Sequence, residues 1–281
     1  MSADLVAALW GVASAASWGF GDFAGGLATR RSTEFSVMRV SNVVGLVFLV
    51  GLALVHGSPL PSLHDALFAV AAGTCGVVGL FMLYRALASG QMSLAAPITA
   101  VVANLVAVIV SLFTEGLPGI FKWLGFILAA LGVWFLSRPS GKVQLSSAVL
   151  LLSVGAGVGF GATFALIAQF SSGDIGWTLV CLRLTTVLLV FMAIATQRAP
   201  VPHLPRAILP LAIFAGICDS LGNLFFALAG QAGRLDVSAV SSSLYPAFTL
   251  LLAVFVLRER LQGWQLLGAA LCLVSIGLIV V

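Results

Sequence analysis

The sequence predicts an all-α membrane protein with ten transmembrane helices, arranged as a 5+5 inverted repeat around a central cavity. Composition indicates the membrane, because 61% of the 281 residues are hydrophobic and 8% are charged, against roughly 25% charged residues in soluble domains. Spacing indicates the repeat, because Glu115 and Glu259 each end a long apolar run and lie 144 residues apart. Since each copy has five spans, an odd number, the second copy enters the bilayer in the opposite orientation.

Ten apolar runs match the length of about 20 residues that a helix needs to cross a hydrocarbon core of about 30 Å. Charged or helix-breaking residues separate most of them, such as Arg30-Arg31-Ser32 after the first run and Pro59-Leu60-Pro61 after the second. Pro118-Gly119 follows the fourth run, and Pro200-Val201-Pro202 follows the seventh. The predicted helices span residues 4–26, 36–55, 65–88, 93–114, 120–137, 145–169, 175–196, 206–228, 237–257 and 263–281.

The repeat extends over the whole chain. Gly19-Phe20-Gly21 in the first helix returns as Gly159-Phe160-Gly161 in the sixth, and Arg39 in the second returns as Arg183 in the seventh. Internal duplication of this kind is the usual construction of membrane transporters. The predicted units are a first five-helix repeat (1–137), a linker (138–144) and a second five-helix repeat (145–281).

The last helix of each repeat carries two small residues seven positions apart. They are Gly125 and Gly132 in the first repeat, and Gly268 and Ser275 in the second. Small residues at such spacing lie on one face of a helix and allow another helix to approach closely.

Cysteine and histidine usage argues against a metal site, a disulfide framework and a catalytic triad. The four cysteines each lie alone within an apolar run, and His56, His64 and His203 lie in connecting segments. No strand followed by a glycine-rich loop and a lysine is present to bind phosphate. The thirteen basic residues are scattered and form no basic face for nucleic acid. We therefore expect no cofactor, no metal, no nucleic-acid partner and no enzymatic activity.

The distribution of positive charge predicts the orientation. The loops after the odd-numbered helices hold nine Lys and Arg residues, whereas the opposite side holds two, Lys122 and Arg234. By the positive-inside rule the first set is cytoplasmic, so both termini face outward. We expect a multi-pass protein of a bacterial-type inner (plasma) membrane.

Four charged residues fall within predicted helices: Asp22, Arg39, Arg183 and Asp219. A charge in hydrocarbon costs at least about 2.5–3.5 kcal/mol on insertion scales, so each should face protein or a wet cavity. Counting from the helix ends at a rise of about 1.5 Å per residue places Arg183 at the same depth in the membrane as Asp219. The same count places Asp22 at the depth of Arg39, near the opposite membrane face. Each pair is either a structural clamp or part of a substrate site. An arginine occurs at the equivalent position of both repeats, as expected for a structural residue. Each acid, by contrast, occurs in one repeat only. Asp22 and Asp219 are therefore candidates for substrate binding and for proton exchange.

Polar and aromatic residues near these acids complete the predicted site. Trp18 lies one helical turn from Asp22, and Asn223 lies one turn from Asp219. Aromatic rings would stack on a planar or amphipathic solute, whereas hydrogen bonding between helices is the alternative role of the polar residues. The predicted substrate-binding residues are Trp18, Phe20, Asp22, Asn104, Phe160, Phe164, Asp219, Asn223 and Tyr245.

The region of the ninth helix carries the most specific pattern in the chain. Tyr245-Pro246 leads to Leu257-Arg258-Glu259-Arg260-Leu261, which is similar to the Tyr-Pro…Leu-Gly-Glu-Arg pattern of EamA-type transporters. The chain thus resembles the EamA-type branch of the drug/metabolite transporter superfamily over nearly its whole length. It departs from the pattern in two places: Arg258 replaces the usual glycine, and Val101-Val102 stands where the first repeat would carry Tyr-Pro.

The resemblance implies a secondary transporter that moves small metabolites, often amino acids or related compounds, and commonly outward. It further implies that helices 1, 3, 4, 6, 8 and 9 surround the cavity, while helices 5 and 10 are peripheral. It also implies that Arg39 and Arg183 belong to structural charge pairs and do not contact the substrate.

These features predict a secondary active transporter, an exporter of small amphipathic or aromatic metabolites such as amino acids, that works by alternating access with the proton as a candidate coupling ion. One alternative is a cationic drug efflux transporter in which Asp22 or Asp219 binds the cation. From other classes, a membrane-embedded enzyme acting on lipid-linked substrates and a structural membrane subunit remain alternatives. The expected partners are a small-molecule substrate, protons and the lipid bilayer, and the protein is a monomer or a homodimer.

Overall fold

The computed structural model describes residues 2–88, 92–136, 146–171, 173, 175–196, 201–258 and 262–280. The predicted linker 138–144 and Glu259 lie outside the described residues. Every regular element in the described part is an α-helix. In chain order the helices are α1 (Ala3–Thr29), α2 (Glu34–His56), α3 (Leu63–Ala88), α4 (Met92–Thr114), α5 (Ile120–Leu136), α6 (Ser147–Ile167), α7 (Gly176–Ala195), α8 (Leu209–Ala232), α9 (Leu235–Ser242), α10 (Tyr245–Leu257) and α11 (Gly263–Val280).

The all-helical prediction is confirmed, and the predicted helix ends lie within four residues of the observed ones. Eight stretches of the described chain are long and apolar enough to cross a membrane, and α9 and α10 together form one of them, Leu235–Leu257. The two remaining predicted helices correspond to the shorter apolar stretches Ile98–Thr114 in α4 and Ile120–Leu136 in α5.

The predicted ninth helix is broken in two, which corrects its expected span of 237–257. α9 ends at Ser242, and α10 begins at Tyr245 after a two-residue break. The reason is Pro246, at the start of α10, which has no N–H to donate and disfavours helical backbone in the residue before it. The Ser243 hydroxyl donates to the carbonyl oxygen of Val240 at 2.7 Å, and so satisfies a carbonyl close to the break.

Polar contacts identify the two ends of the helix bundle. At the end that we call the Asp4 end, Lys122 Nζ lies 2.5 Å from Asp4 Oδ2. There the Asp65 Oδ1 atom accepts hydrogen bonds from the backbone N–H and the hydroxyl of Ser171, both at 2.9 Å. The first contact joins the starts of α1 and α5, and the second joins the start of α3 to the segment after α6. At the opposite end, which we call the Arg30 end, a small apolar cluster joins the end of α1 to the start of α2 and the start of α8.

The first helix of each predicted repeat packs antiparallel to the third helix of the other. In α1, Trp18 contacts Gly222 of α8, and further along α1 Gly21 contacts Cys218. The residue number rises along α1 while the number of the contacting residue in α8 falls, so the two helices are antiparallel. The matching contacts between α6 and α3 are Gly155–Met82, Gly159–Gly79 and Thr163–Ala72.

The first helix of each predicted repeat also packs parallel to the fourth span of the other. Gly11 of α1 contacts Ser241 of α9, and Gly19 contacts Phe248 of α10. Here both numberings increase together, so the helices run in the same direction. The matching contacts between α6 and α4 are Gly157–Val102 and Gly161–Val106.

The last helices of the two predicted repeats, α5 and α11, pair through the small residues noted in the sequence. Gly132 packs against Gly268 and Cys272, and Gly125 packs against Ser275. Hydrocarbon gives no hydrophobic drive for two helices to associate, so close approach and van der Waals contact must hold such a pair. The small residues seven positions apart in the sequence therefore mark the contact between α5 and α11.

Gly268→Ala tests the α5–α11 interface. A Cβ atom at position 268 would lie 2.7 Å from both Gly132 O and Leu136 N, which are backbone atoms, so the helices must separate. We expect a loss of about 1–3 kcal/mol of stability, the usual cost of overpacking. The measurement is size-exclusion chromatography of detergent-purified protein after heating.

Gly277→Ala is the matched control in the same helix, because no atom lies within 4 Å of a Cβ atom there. It should leave the melting temperature unchanged or slightly raised. Equal destabilisation by both substitutions would contradict the proposed role of the interface.

Candidate functional site

Arg183 of α7 is buried where α2, α7 and α8 meet, with 4% of its side chain exposed. Its Nη2 atom lies 2.5 Å from Asp219 Oδ2 and donates to the Ser220 hydroxyl at 3.1 Å. Its Nη1 atom donates to Asn42 Oδ1 at 3.3 Å. The ion pair that depth matching predicted between Arg183 and Asp219 is present, and the guanidinium group joins α7 to both neighbouring helices.

A glycine provides the space for this arginine. Gly45 of α2 faces the Arg183 side chain, and a Cβ atom there would lie 3.3 Å from Arg183 Nε and closer still to the Ser220 hydroxyl. Nε itself has no hydrogen-bond partner among the described atoms. A buried charge is destabilising unless it is paired, so α2 must come close enough for Asn42 to supply an acceptor.

Asp219 is only partly enclosed by this cluster, since 47% of its side chain is exposed. One of its oxygens contacts Arg183, so its charge is compensated. Asn223, one turn further along α8, donates from Nδ2 to the Asp219 carbonyl oxygen at 2.8 Å. The Asn223 amide nitrogen is thus engaged within its own helix.

The predicted pair of Asp22 with Arg39 is wrong. Arg39 Nη2 donates to the carbonyl oxygen of Pro202 at 3.3 Å, and the Ser36 hydroxyl donates to the same oxygen at 2.8 Å. Among the side chains that the structure describes, Arg39 has no carboxylate partner. The physical reason is that α2 packs against α7 and α8, so this face of α2 meets the segment before α8 and not α1.

The two acids, expected at different depths, lie side by side. Because α1 runs antiparallel to α8, Gly21 contacts Cys218, and these are the chain neighbours of Asp22 and Asp219. The Asp22 and Asp219 side chains thus start from neighbouring positions across the α1–α8 contact. Asp22 is exposed and forms no hydrogen bond or ion pair with any described residue. One acid is therefore compensated and the other is not.

Asp22 lines a cavity of about 340 Å³ between α1, the end of α5 and α10. That volume is within the range of about 300–1,000 Å³ found for small-molecule sites. Tyr245 of α10 lines the cavity beside Asp22, and the Thr249 hydroxyl donates to the Gly19 carbonyl oxygen at 3.0 Å. The lining residues are Asp22, Leu136, Tyr245, Pro246, Thr249, Leu250 and Ala253.

Two of the predicted aromatic residues, Trp18 and Phe164, lie together between α1, α6 and α8. Their ring centroids are 5.6 Å apart, and Phe226 stacks on Trp18 at 5.9 Å. Phe226 is fully buried within the largest apolar cluster of the described residues. This stack is part of the packed interior beside the two acids and does not line the cavity.

The two remaining predicted phenylalanines lie elsewhere. The Phe20 ring meets the Phe248 ring edge-on, with centroids 6.2 Å apart, across the α1–α10 interface. The Phe160 ring lies over Gly79 of α3. Phe20 is thus near the cavity helices, whereas Phe160 fills the α3–α6 contact.

Asn104 lies apart from both acids, in the middle of α4. It is 7% exposed, and its Oδ1 atom has no hydrogen-bond partner among the described atoms. It shares a helix face with Ala100 and Val108, which belong to the apolar cluster that includes Val240 of α9. Asn104 therefore lies on the face of α4 whose apolar residues pack in the same cluster as residues of α9.

A charged cluster joins α4 to the start of α9 at the Asp4 end. Arg234 Nη2 lies 2.7 Å from Asp236 Oδ2 and donates to the Ser111 hydroxyl at 3.3 Å, while Nη1 donates to the Glu115 carbonyl oxygen at 3.0 Å. The Leu235 N–H donates to both Glu115 carboxylate oxygens, at 2.9 and 3.0 Å. Glu115 thus caps the first turn of α9, where a negative charge is favourable.

The described residues contain no group of three or more His, Cys, Asp or Glu side chains that could hold a metal ion. What the site offers is a compensated acid, an uncompensated acid and a mostly apolar cavity beside them. Such an arrangement has the chemistry to bind a solute with a charged or polar group.

Sequence reasoning missed several residues of this region. Asn42 and Ser220 bind Arg183, and Pro246 and Thr249 line the cavity. For Ser220 the available signal was its position beside Asp219 in an apolar helix. Asn42 was visible as a polar residue one turn after Arg39. No local signal distinguishes Thr249, because its role depends on which helix faces α10.

Comparison with known proteins bears on the family and the fold of the chain. A model described as the EamA-like transporter family matches residues 5–138 and, separately, residues 147–281. A solved structure described as "Crystal structure of protein" is similar in fold, with a TM-score of 0.82 and 16% sequence identity over 97% of this chain and 95% of that chain. No curated protein matches the sequence.

Asp219→Asn tests the compensation of Arg183. Removing one charge leaves the buried guanidinium without its anion, which costs roughly 3–5 kcal/mol for a fully buried pair. Because Asp219 is half exposed, we expect about 1–3 kcal/mol, measured as a lower melting temperature in detergent.

Asp22→Asn is the matched control on the neighbouring helix and should leave the melting temperature nearly unchanged, because Asp22 has no described partner. A larger loss of stability in Asp22→Asn than in Asp219→Asn would contradict this assignment.

Proposed function

This chain belongs to the EamA-like transporter family, and we propose from that membership that it is a secondary active transporter that works by alternating access. It is a multi-pass membrane protein and a transporter rather than an enzyme. Its substrates under this proposal are small amphipathic or aromatic metabolites such as amino acids, moved outward.

The packing of the helices supports an inverted repeat of five plus five spans around a central cavity. α1 packs on α8 as α6 packs on α3, and α1 packs on α9–α10 as α6 packs on α4. α2 pairs with α7, and α5 pairs with α11. This pattern is unchanged when the first five spans are exchanged with the second five, as a two-fold axis requires. Repeats 1–137 and 145–281, with the linker 138–144, fit the same pattern.

Alternating access follows from such a repeat. Two halves related by a two-fold axis in the membrane plane can exchange conformations, which closes one end of the central site while opening the other. The observation that carries the proposal is Asp22, an uncompensated acid inside the membrane-spanning part and beside a cavity. A lone intramembrane carboxylate is costly, and so indicates a functional site.

The two ends of the bundle support one state of such a cycle. At the Asp4 end, the Arg234–Glu115–Asp236 cluster and the Lys122–Asp4 pair join neighbouring helices. The cavity instead lies among residues in the Arg30-end halves of α1, α5 and the Leu235–Leu257 span. We infer a conformation that is closed at the Asp4 end. With the termini outward in an inner (plasma) membrane, as the charge count predicts, the Arg30 end is cytoplasmic.

A proton is the coupling ion that the site supports best. Asp22 lines the cavity beside Tyr245 of α10 and lies next to the Gly21–Cys218 contact that brings Asp219 near, and Arg183 compensates only Asp219. A carboxylate in this position exchanges a proton readily when a solute enters or leaves. Whether one or two copies of the chain form the working unit does not alter this proposal.

The transport activity can be tested in proteoliposomes. A thermal-shift screen of amino acids, nucleosides, vitamins and cationic dyes identifies a stabilising class, since a ligand at 100 times its Kd stabilises the folded state by about 2.7 kcal/mol. We expect the same class to accumulate when a pH gradient is imposed, and Asp22→Asn combined with Asp219→Asn to abolish that accumulation.

Empty liposomes are the control for the transport assay. Accumulation that survives in the double variant would exclude these acids from proton coupling. If no class stabilises the protein and none exchanges faster than in empty liposomes, the proposed function is wrong.

Arg234→Ala tests the closed Asp4 end. A membrane-impermeant maleimide is applied to Asn104→Cys, two turns from Ser111, in a background without the four native cysteines. We expect faster labelling in intact cells when Arg234 is replaced, because α4 and α9 lose a shared cation.

Arg206→Ala, an exposed arginine at the Arg30 end, is the control and should leave the labelling rate in intact cells unchanged. Faster labelling only in inside-out vesicles would contradict the predicted orientation. No change in either preparation would contradict the role of the cluster.

A further inference from the structure

We propose that the solute is an organic cation and that Asp22 is its counter-charge. The inference rests on the proposed transport function, but within amphipathic metabolites it replaces amino acids with solutes that carry one ammonium group, no carboxylate and a compact apolar body. In this assignment Asp22 contacts the substrate, whereas Asp219 holds Arg183 in place and contacts no solute.

The charge balance of the two acids carries the inference. Arg183 Nη2 contacts Asp219, and the rest of that guanidinium group faces Asn42 and Ser220. The charges of Arg183 and Asp219 therefore cancel. Asp22 has no such partner among the described residues, although the Gly21–Cys218 contact brings Asp219 near. A solute that brings one positive charge would neutralise the region.

The cavity wall supports a cation with an apolar body. Of the seven lining residues, Asp22 carries the only charge, and five others, Leu136, Pro246, Leu250, Ala253 and Tyr245, present mostly apolar or aromatic surface. A carboxylate can accept charge-assisted hydrogen bonds from an ammonium group, and the Tyr245 ring adds a surface that attracts cations. The apolar residues would contact the rest of the solute.

The same cavity disfavours a zwitterion or an anion. A solute carboxylate would need a cationic partner, but none of the described residues that line the cavity is basic. Arg183 cannot supply it, because its side chain is 4% exposed and already engaged. An isolated carboxylate in an apolar site is strongly disfavoured. Among amphipathic metabolites, amines should therefore bind more tightly than the corresponding amino acids.

The test compares four solutes that share a phenyl ring and differ in charge: 2-phenylethylamine, 2-phenylethanol, phenylalanine and 3-phenylpropionate. Their affinities for the detergent-purified full chain are measured by isothermal titration calorimetry at neutral pH. We expect the amine to bind about 10- to 100-fold more tightly than the alcohol, the factor that a hydrogen bond to a charged group supplies. The amino acid and the acid should bind no better than the alcohol.

Variants on one helix separate the role of Asp22 from general effects. Asp22→Asn should remove the preference for the amine while keeping the weak binding of the alcohol, and Asp22→Glu should retain the preference. Asp4→Asn makes the same chemical change on α1 but outside the cavity, and should leave the preference intact. Each variant is first checked for a monodisperse elution peak.

The outcomes distinguish this inference from the proposed function. Equal affinities for amine and alcohol, tighter binding of phenylalanine, absence of amine binding, or an unchanged preference in Asp22→Asn would each overturn the assignment of Asp22. If phenylalanine nevertheless exchanges in proteoliposomes, the transport function stands and only the substrate class is wrong. If none of the four solutes binds or exchanges, and the wider screen is negative, both proposals fail.

Discussion

The surrounding hydrocarbon is the constraint on which this structure depends. It offers no hydrogen bonds to exposed polar groups and no hydrophobic drive for one helix to associate with another. Helices are therefore held by close approach, and glycine lies at the contact in each principal pair: Gly21 between α1 and α8, Gly157 between α6 and α4, and Gly132 between α5 and α11. Gly45 extends the same principle to electrostatics, because only a close α2 can bring Asn42 to the Arg183 guanidinium.

The two intramembrane acids show how position alone separates a structural charge from a chemically available one. Both lie at the α1–α8 contact. Asp219 points toward the α7 side, where it meets Arg183, whereas Asp22 points toward α10, where it meets a cavity. The same residue type on adjoining helices thus stabilises the bundle in one case and remains free to meet a solute in the other.

The apolar spans, their outer ends and the internal duplication were predictable from the sequence, because hydropathy and spacing record them directly. The Arg183–Asp219 contact was also predictable, because depth along a helix can be counted. Depth does not tell which helices are neighbours, and the expected pair of Asp22 with Arg39 failed for that reason: α1 lies against α8 and not against α2. Thr249 and Asn42 were not recognised, since their roles depend on faces that only the assembled bundle defines. The break before Tyr245 reflects Pro246, which the sequence showed, but the resulting helix ends depend on packing.

The break in the ninth span occurs in one half only, since α4 is continuous through the matching region while α9 and α10 are separate helices. A duplicated machine with identical halves would have equal energies in its two end states and equal barriers in both directions. Here one half carries a two-residue break beside the cavity, whereas the matching span is one continuous helix. The two end states would therefore differ in energy and the forward and return reorientations in rate, while the direction of net transport would still be set by the solute and ion gradients.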